Sequence, residues 1–168
     1  MTAYLSESAP VRGVKPLPAL SQASPKGTIM TETNYTAVVT ATGEGRNGGR
    51  AASDDGLLDL TLAIPKEFGG NGGATNPEQL LAAGWASCFL GAVKITAAKK
   101  KVPLQDLAVV AEVTLHHDAG DYNLSAVLRI ELTGVDQNTA EELGAGAHQI
   151  CPYSKALNIP VTIEATVA

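Results

Sequence analysis

Cysteine is scarce in this chain. There are two, Cys88 and Cys151, 63 positions apart, and neither sits in a CxxC or a Cys/His spacing suited to zinc. That scarcity excludes a disulfide framework and points to a reducing compartment, where a pair of cysteines that does bridge is more often redox-active than structural. Basic clusters are also missing. The net charge is −5, with no Lys/Arg block in the body of the chain, so a nucleic-acid partner is not expected. The one basic run, residues 99–101, reads as the cationic end of a helix. No apolar run free of charge approaches about 18 residues, so no membrane partner is expected. The N-terminus lacks the apolar core of a secretory signal, and the expected location is the cytoplasm. The glycine-rich stretch "EFGGNGGAT" at 67–75 lacks a GK[ST] ending and the strand-to-helix setting of a phosphate-binding loop.

What is present is a globular composition, 45% hydrophobic and 17% charged, in a length suited to one domain. Residues 1–29 are rich in Pro, Ser and Ala, carry a net charge of +2 and have no periodicity. A disordered extension over 1–34 is expected. Four prolines spoil the amphipathic helix that an organellar transit peptide needs. From Tyr35 the pattern is ordered. "YTAVVTAT" at 35–42 is strand-like, "GEGRNGGR" turns the chain, and "LLDLTLAI" at 57–64 alternates after a "SDDG" hairpin signal.

A long helix follows. Asn76 is a good N-cap, Pro77 a good first-turn residue, and Glu78 an acid at the positive end of the dipole. From Leu80 to Ala98 the sequence is apolar almost all round, which predicts a helix buried at the centre of the fold. Segments 107–117 and 122–132 form a further strand pair, 138–150 a helix weakened by Gly144 and Gly146, and 161–167 a last strand. The order βββ-α-ββ-α-β implies an α+β domain of antiparallel strands wrapped around a central helix.

Cys88 lies in the middle of the long helix. A free cysteine there is by default a small buried hydrophobe, and burial raises a thiol's pKa. It also stands about three turns from the helix N-terminus, beyond the reach of the dipole. A reactive Cys88 therefore needs a cation from elsewhere, and Arg46 and Arg50 in the glycine-rich turn are the candidates. Glu78 could hold such an arginine. Ten residues of unbroken helix separate Glu78 from Cys88 by ~15 Å, so a shared site requires a bend or a second subunit. Cys151, in "HQICPYSKA", ends a helix before a proline, where slight unwinding could move it. His148 alone does not make a metal site with it. His116 and His117 are neighbours on a strand and point to opposite faces.

The segments "TATGEGRNGGR", "SDDGLLDLTLAIPKEFGGNGGATNPEQLLAAGWASCF" and "HQICPYSKA" together resemble the organic hydroperoxide resistance (Ohr) proteins of the OsmC-like superfamily. The resemblance spans roughly residues 35–168, in order. It implies an OsmC-like fold, an intertwined homodimer with active sites at the subunit interface, and a thiol-dependent peroxidase that reduces organic hydroperoxides to alcohols. Carried over by motif, Cys88 is the peroxidatic thiol, Cys151 the resolving thiol, and Glu78 the holder of the catalytic arginine. That arginine is Arg46, with Arg50 as the alternative. The resemblance further implies no metal or flavin, and re-reduction by a dithiol such as dihydrolipoamide or a lipoylated protein. Leu81 and Trp85 stand where the family often has aromatic and Tyr residues; with Phe89 they are the expected lining of an apolar substrate pocket. An OsmC-branch peroxidase with another peroxide preference, a redox sensor and a lipid-binding protein are the alternatives.

Overall fold

Local signals place the central helix, and the rest of the fold is arranged around it. The computed structural model describes residues 32–167; the extension expected over 1–34 lies almost wholly outside the described residues. Ala37–Ala168 make up one compact unit. Helix α1 (Pro77–Lys100) begins where Asn76 Oδ1 accepts the Gln79 amide N–H at 2.9 Å. It ends at Lys101 in the left-handed region (φ 59°), behind the cations Lys99 and Lys100.

The strands form two three-stranded sheets. The first is fully antiparallel: β1 (Val39–Thr42), β2 (Arg50–Ser53) and β3 (Asp59–Thr61) in that order. The second pairs the long strands β4 (Leu107–Asp118) and β5 (Asp121–Leu132) antiparallel, from Leu107 opposite Leu132 to Asp118 opposite Asp121. Its third strand, β6 (Val161–Val167), lies parallel to β5, with Ala126 opposite Val161. This differs from the all-antiparallel expectation. Helices α2 (Gln137–Ile150) and α3 (Pro152–Ala156) lie between β5 and β6. A helical crossover of that kind returns the chain to its starting end and makes the strands parallel.

The sheet shows one apolar face to the helices. Ala126, Leu128, Ile130 and Leu132 of β5 are buried, and alternate residues of β4 and β6 pack against the same core. The two glycines that weaken α2 allow close packing. A Cβ on Gly144 would lie 2.8 Å from Ile130 Cδ1, and one on Gly146 would lie 2.7 Å from Thr96 Cγ2. Helix α2 can thus sit hard against both sheet and α1.

The central helix is covered on one side only. Trp85, Phe89, Ala92, Val93, Thr96 and Ala97 form its buried face, while Ala83, Ser87, Lys94 and Ile95 are exposed. Full burial, expected from its composition, is not reached within one chain, because a single layer covers a single helix face. By length and composition α1 could also cross a membrane, but its apolar face packs on β4 and α2.

Candidate active site

The two cysteines meet. Cys151 is fully buried at the junction of α2 and α3, and its Sγ lies 3.5 Å from Cys88 Sγ on α1. Sequence gave this pairing only through the resemblance, since nothing local links positions 63 apart. Cys151 caps both helices: its N–H donates to Ala147 O at 2.9 Å, and its C=O accepts from Lys155 N at 3.0 Å. Burial pushes the Cys88 thiol above its ordinary value. The Tyr153 backbone N–H pulls the other way, and the Cys151 thiol adds to the rise. No arginine or lysine contributes here. Within one chain, these influences together favour the thiol over the thiolate.

Arg46 is instead at the far end of α1. It sits in a one-turn 3-10 segment, Gly45–Asn47, closed by Gly48 at φ 135°, a backbone only glycine adopts readily. Its Nη2 donates to both oxygens of Glu78, at 2.6 and 2.7 Å. The side chains are 37% and 15% exposed, so the pair is partly shielded from water. Glu78 grips one guanidinium nitrogen only, which leaves further donors for an incoming oxygen. Arg50 makes a different pair. It forks onto Asp59 of the neighbouring strand, Nε and Nη2 each at 2.6 Å, on the open surface. Of the two candidate arginines, the one joined to Glu78 is Arg46.

Helix α1 runs Pro77–Lys100 without a break, and ten residues of it set Glu78 and Cys88 ~15 Å apart along its axis. Two cavities open beside Arg46 and Glu78. One, of about 390 Å³, is lined by Glu78, Phe68, Ala82, Val113 and Leu115. The other, of about 320 Å³, is lined by Arg46, Ile64, Phe68, Leu115 and Tyr122. Cys88 lines neither.

The expected pocket residues lie elsewhere. Trp85 and Phe89 are fully buried in the core and Leu81 is half-buried; none of the three lines either cavity. Trp85 and Phe89 leave α1 on its core-facing side, so their bulk goes to packing. Phe68 and Tyr122 were not picked out from sequence. The usable signal for Phe68 was an aromatic placed in an otherwise glycine-rich loop. Tyr122 is fixed by stacking on His117 across the strand pair, with ring centroids 4.3 Å apart. His116 turns the other way and bonds Ser125 Oγ at 2.7 Å, so the two histidines stay apart as expected. His148 Nδ1 is buried without a hydrogen-bond partner among the described residues.

Comparison with known proteins agrees with this architecture. The profile of a family described as OsmC-like protein matches residues 69–166. An organic hydroperoxide resistance protein of Xanthomonas axonopodis pv. citri is 47% identical over 133 residues, covering 77% of this chain and 92% of that protein. The crystal structure of the organic hydroperoxide resistance protein OhrB of Bacillus subtilis superposes with a TM-score of 0.70 at 38% identity, over 79% of this chain and 98% of that one. A structure from Legionella pneumophila, described as an organic hydroperoxide resistance protein OsmC, gives a TM-score of 0.73 at 43% identity, over 82% and 99% of the two chains.

Proposed function

The chain belongs to the OsmC-like protein family, and from that premise we propose that it is a cysteine-based peroxidase reducing organic hydroperoxides to alcohols. Relatives named organic hydroperoxide resistance proteins support a role in peroxide resistance. The observation that carries the chemical reading is the 3.5 Å approach of two free thiols inside an otherwise apolar core.

The Cys88 thiolate attacks the distal oxygen of the hydroperoxide and breaks the O–O bond. The alkoxide takes a proton and leaves as the alcohol, and Cys88 becomes a sulfenic acid. Cys151 then displaces water from that sulfur, and the Cys88–Cys151 disulfide forms. An external dithiol such as dihydrolipoamide, free or on a lipoylated protein, returns both thiols and leaves as its own disulfide. None of these steps calls on a metal or flavin, and the cytoplasm supplies the reducing setting.

Arg46, held by Glu78, stabilises the thiolate and directs its remaining N–H donors at the peroxide. Since Arg46 and Cys88 are distant in one chain, the working site is built between two chains. Ala83, midway between Glu78 and Cys88, is exposed on α1. Two copies of α1 running antiparallel about a two-fold axis at the height of Ala83 would set each Glu78 at the height of the partner subunit's Cys88. The apolar walls of Phe68, Leu115 and Ile64 suit the hydrocarbon tail of the substrate.

The test is dithiol-dependent consumption of a peroxide panel by wild type and Cys88→Ser. Wild type is expected to turn over cumene and fatty-acid hydroperoxides in preference to hydrogen peroxide, and the variant to be inactive. Equal, slow consumption by both proteins would dismiss the enzyme reading. Preference for hydrogen peroxide would move the protein to the other branch of the family.

A further inference from the structure

Two residues of α1 hold the turn that carries Cys151. Trp85, fully buried, donates its indole Nε1–H to Ser154 Oγ at 3.1 Å. Beside it, Gly84 leaves room for the Tyr153 ring: a Cβ at that position would lie 2.8 Å from Tyr153 Oη. Trp85 precedes Cys88 by three residues on α1, so the two side chains leave on neighbouring parts of one face. Ser154 follows Cys151 by three residues across the first turn of α3. The indole–hydroxyl bond and the Sγ–Sγ approach are therefore two adjacent rungs between the same pair of elements.

We propose that the Trp85–Ser154 hydrogen bond is a latch that sets the approach of Cys151 to Cys88, and so decides whether oxidised Cys88 is resolved as a disulfide or driven on to sulfinic acid. The proposal rests on the thiol-peroxidase reading above. It makes Ser154 a positioning residue that acts through Cys151.

The physical basis is a competition at one sulfur. Cys88 sulfenic acid has two exits. Attack by the Cys151 thiol forms the S–S bond and expels water. Attack of the sulfenate on a second hydroperoxide takes up its oxygen, gives the sulfinic acid and releases a second alcohol. The first exit is unimolecular and depends on the placement of Cys151; the second scales with peroxide concentration. A disulfide needs an S–S distance of about 2.05 Å, so the turn must advance from 3.5 Å without swinging aside. The second rung allows that advance and restrains the swing. The indole N–H has no other acceptor among the described residues, so the bond is not readily exchanged.

The experiment treats reduced wild type, Ser154→Ala, Ser154→Thr, Trp85→Phe and the double variant Trp85→Phe/Ser154→Ala with graded cumene hydroperoxide. Intact mass gives the ratio of sulfinic to disulfide product. Ser154→Ala is expected to raise that ratio about tenfold, the order of effect that a loosened near-attack geometry produces. Ser154→Thr, which keeps the hydroxyl, should restore the wild-type ratio. Trp85→Phe should match Ser154→Ala, and the double variant should be no worse than either, because all three lack the same bond. Should one variant fail to fold, the others still decide, through the threonine rescue or the indole replacement. A wild-type ratio in Ser154→Ala, or additive effects in the double variant, would overturn the latch while leaving the peroxidase reading intact. A wild-type Cys88 that peroxide does not oxidise would instead overturn the reading on which the latch rests.

Discussion

Cys88 and Glu78 stand on the same helix, yet each has surroundings that lack what the other has. At Cys88 two thiols meet in an apolar setting, and burial favours the protonated form. At Glu78 there is a guanidinium with donors to spare, flanked by cavities, and no nucleophile. A thiol without a cation reacts slowly, because the thiolate is the nucleophile. A cation without a thiol only binds. The separation follows from helix geometry, since ten residues span ~15 Å and α1 runs without a break. One chain thus carries two half-sites, which fits assembly from two copies.

The largest effect expected from this contrast is complementation. Arg46→Ala and Cys88→Ser are each predicted to be inactive alone. Mixed by co-expression, they should form, under the proposed two-chain assembly, hybrid dimers in which one of two sites combines an intact Cys88 with an intact Arg46. Activity should then return to about a quarter of wild type, the share given by random pairing into two-fold dimers. A mixture as inactive as its parents would place both residues in one chain's site and break the comparison.

A smaller effect separates the two arginines. Arg46→Lys keeps the charge but replaces a planar set of donors with a mobile ammonium. A loss of about a hundredfold in kcat/KM is expected, in the range for removing a preorganised donor from a developing charge. Arg50→Lys alters an exposed strand-to-strand pair with Asp59 and should stay within about twofold of wild type. The reverse ranking would transfer the role to Arg50.

What the sequence made legible was whatever is decided locally. Asn76, Pro77 and the lysines at 99–101 marked both ends of α1, because capping is settled within a turn. The alternation of β4 and β5 was equally plain. The parallel entry of β6 was not, since it depends on where α2 returns the chain. Nor could the apolar composition of α1 reveal that the Ala83 side stays open, because Ala, Gly and Ser suit a sheet or another helix equally well. The family resemblance implies Trp85 and Phe89 as pocket residues, but the helix period puts them in line with Val93 and Ala92 in the core. Phe68 and Tyr122 escaped notice because a glycine-rich loop and a hairpin tip carry no period to read. Ser154 had no visible role until its distance to an indole was known.

The subtlest test is a shift in midpoint. Burial raises the Cys88 thiol within one chain, whereas a guanidinium facing it from a partner subunit, as proposed, would favour the thiolate. Iodoacetamide labelling of Cys88, followed across pH by mass, should therefore have its midpoint above the ordinary thiol value in Arg46→Ala and below that value in wild type. Stability gives the same contrast with a definite sign. In Arg46→Ala, the raised thiol contributes stability that is complete below the ordinary thiol pKa and lost as pH rises through the raised folded value. The added substitution Cys88→Ala removes that alkaline slope. In a wild-type dimer whose partner guanidinium lowers the folded pKa, the slope is expected to reverse: stability should rise with pH from the lowered value to the ordinary one and then hold. Identical labelling midpoints in wild type and Arg46→Ala would mean that the guanidinium does not reach the sulfur, and the two ends of α1 would have to be read as separate sites.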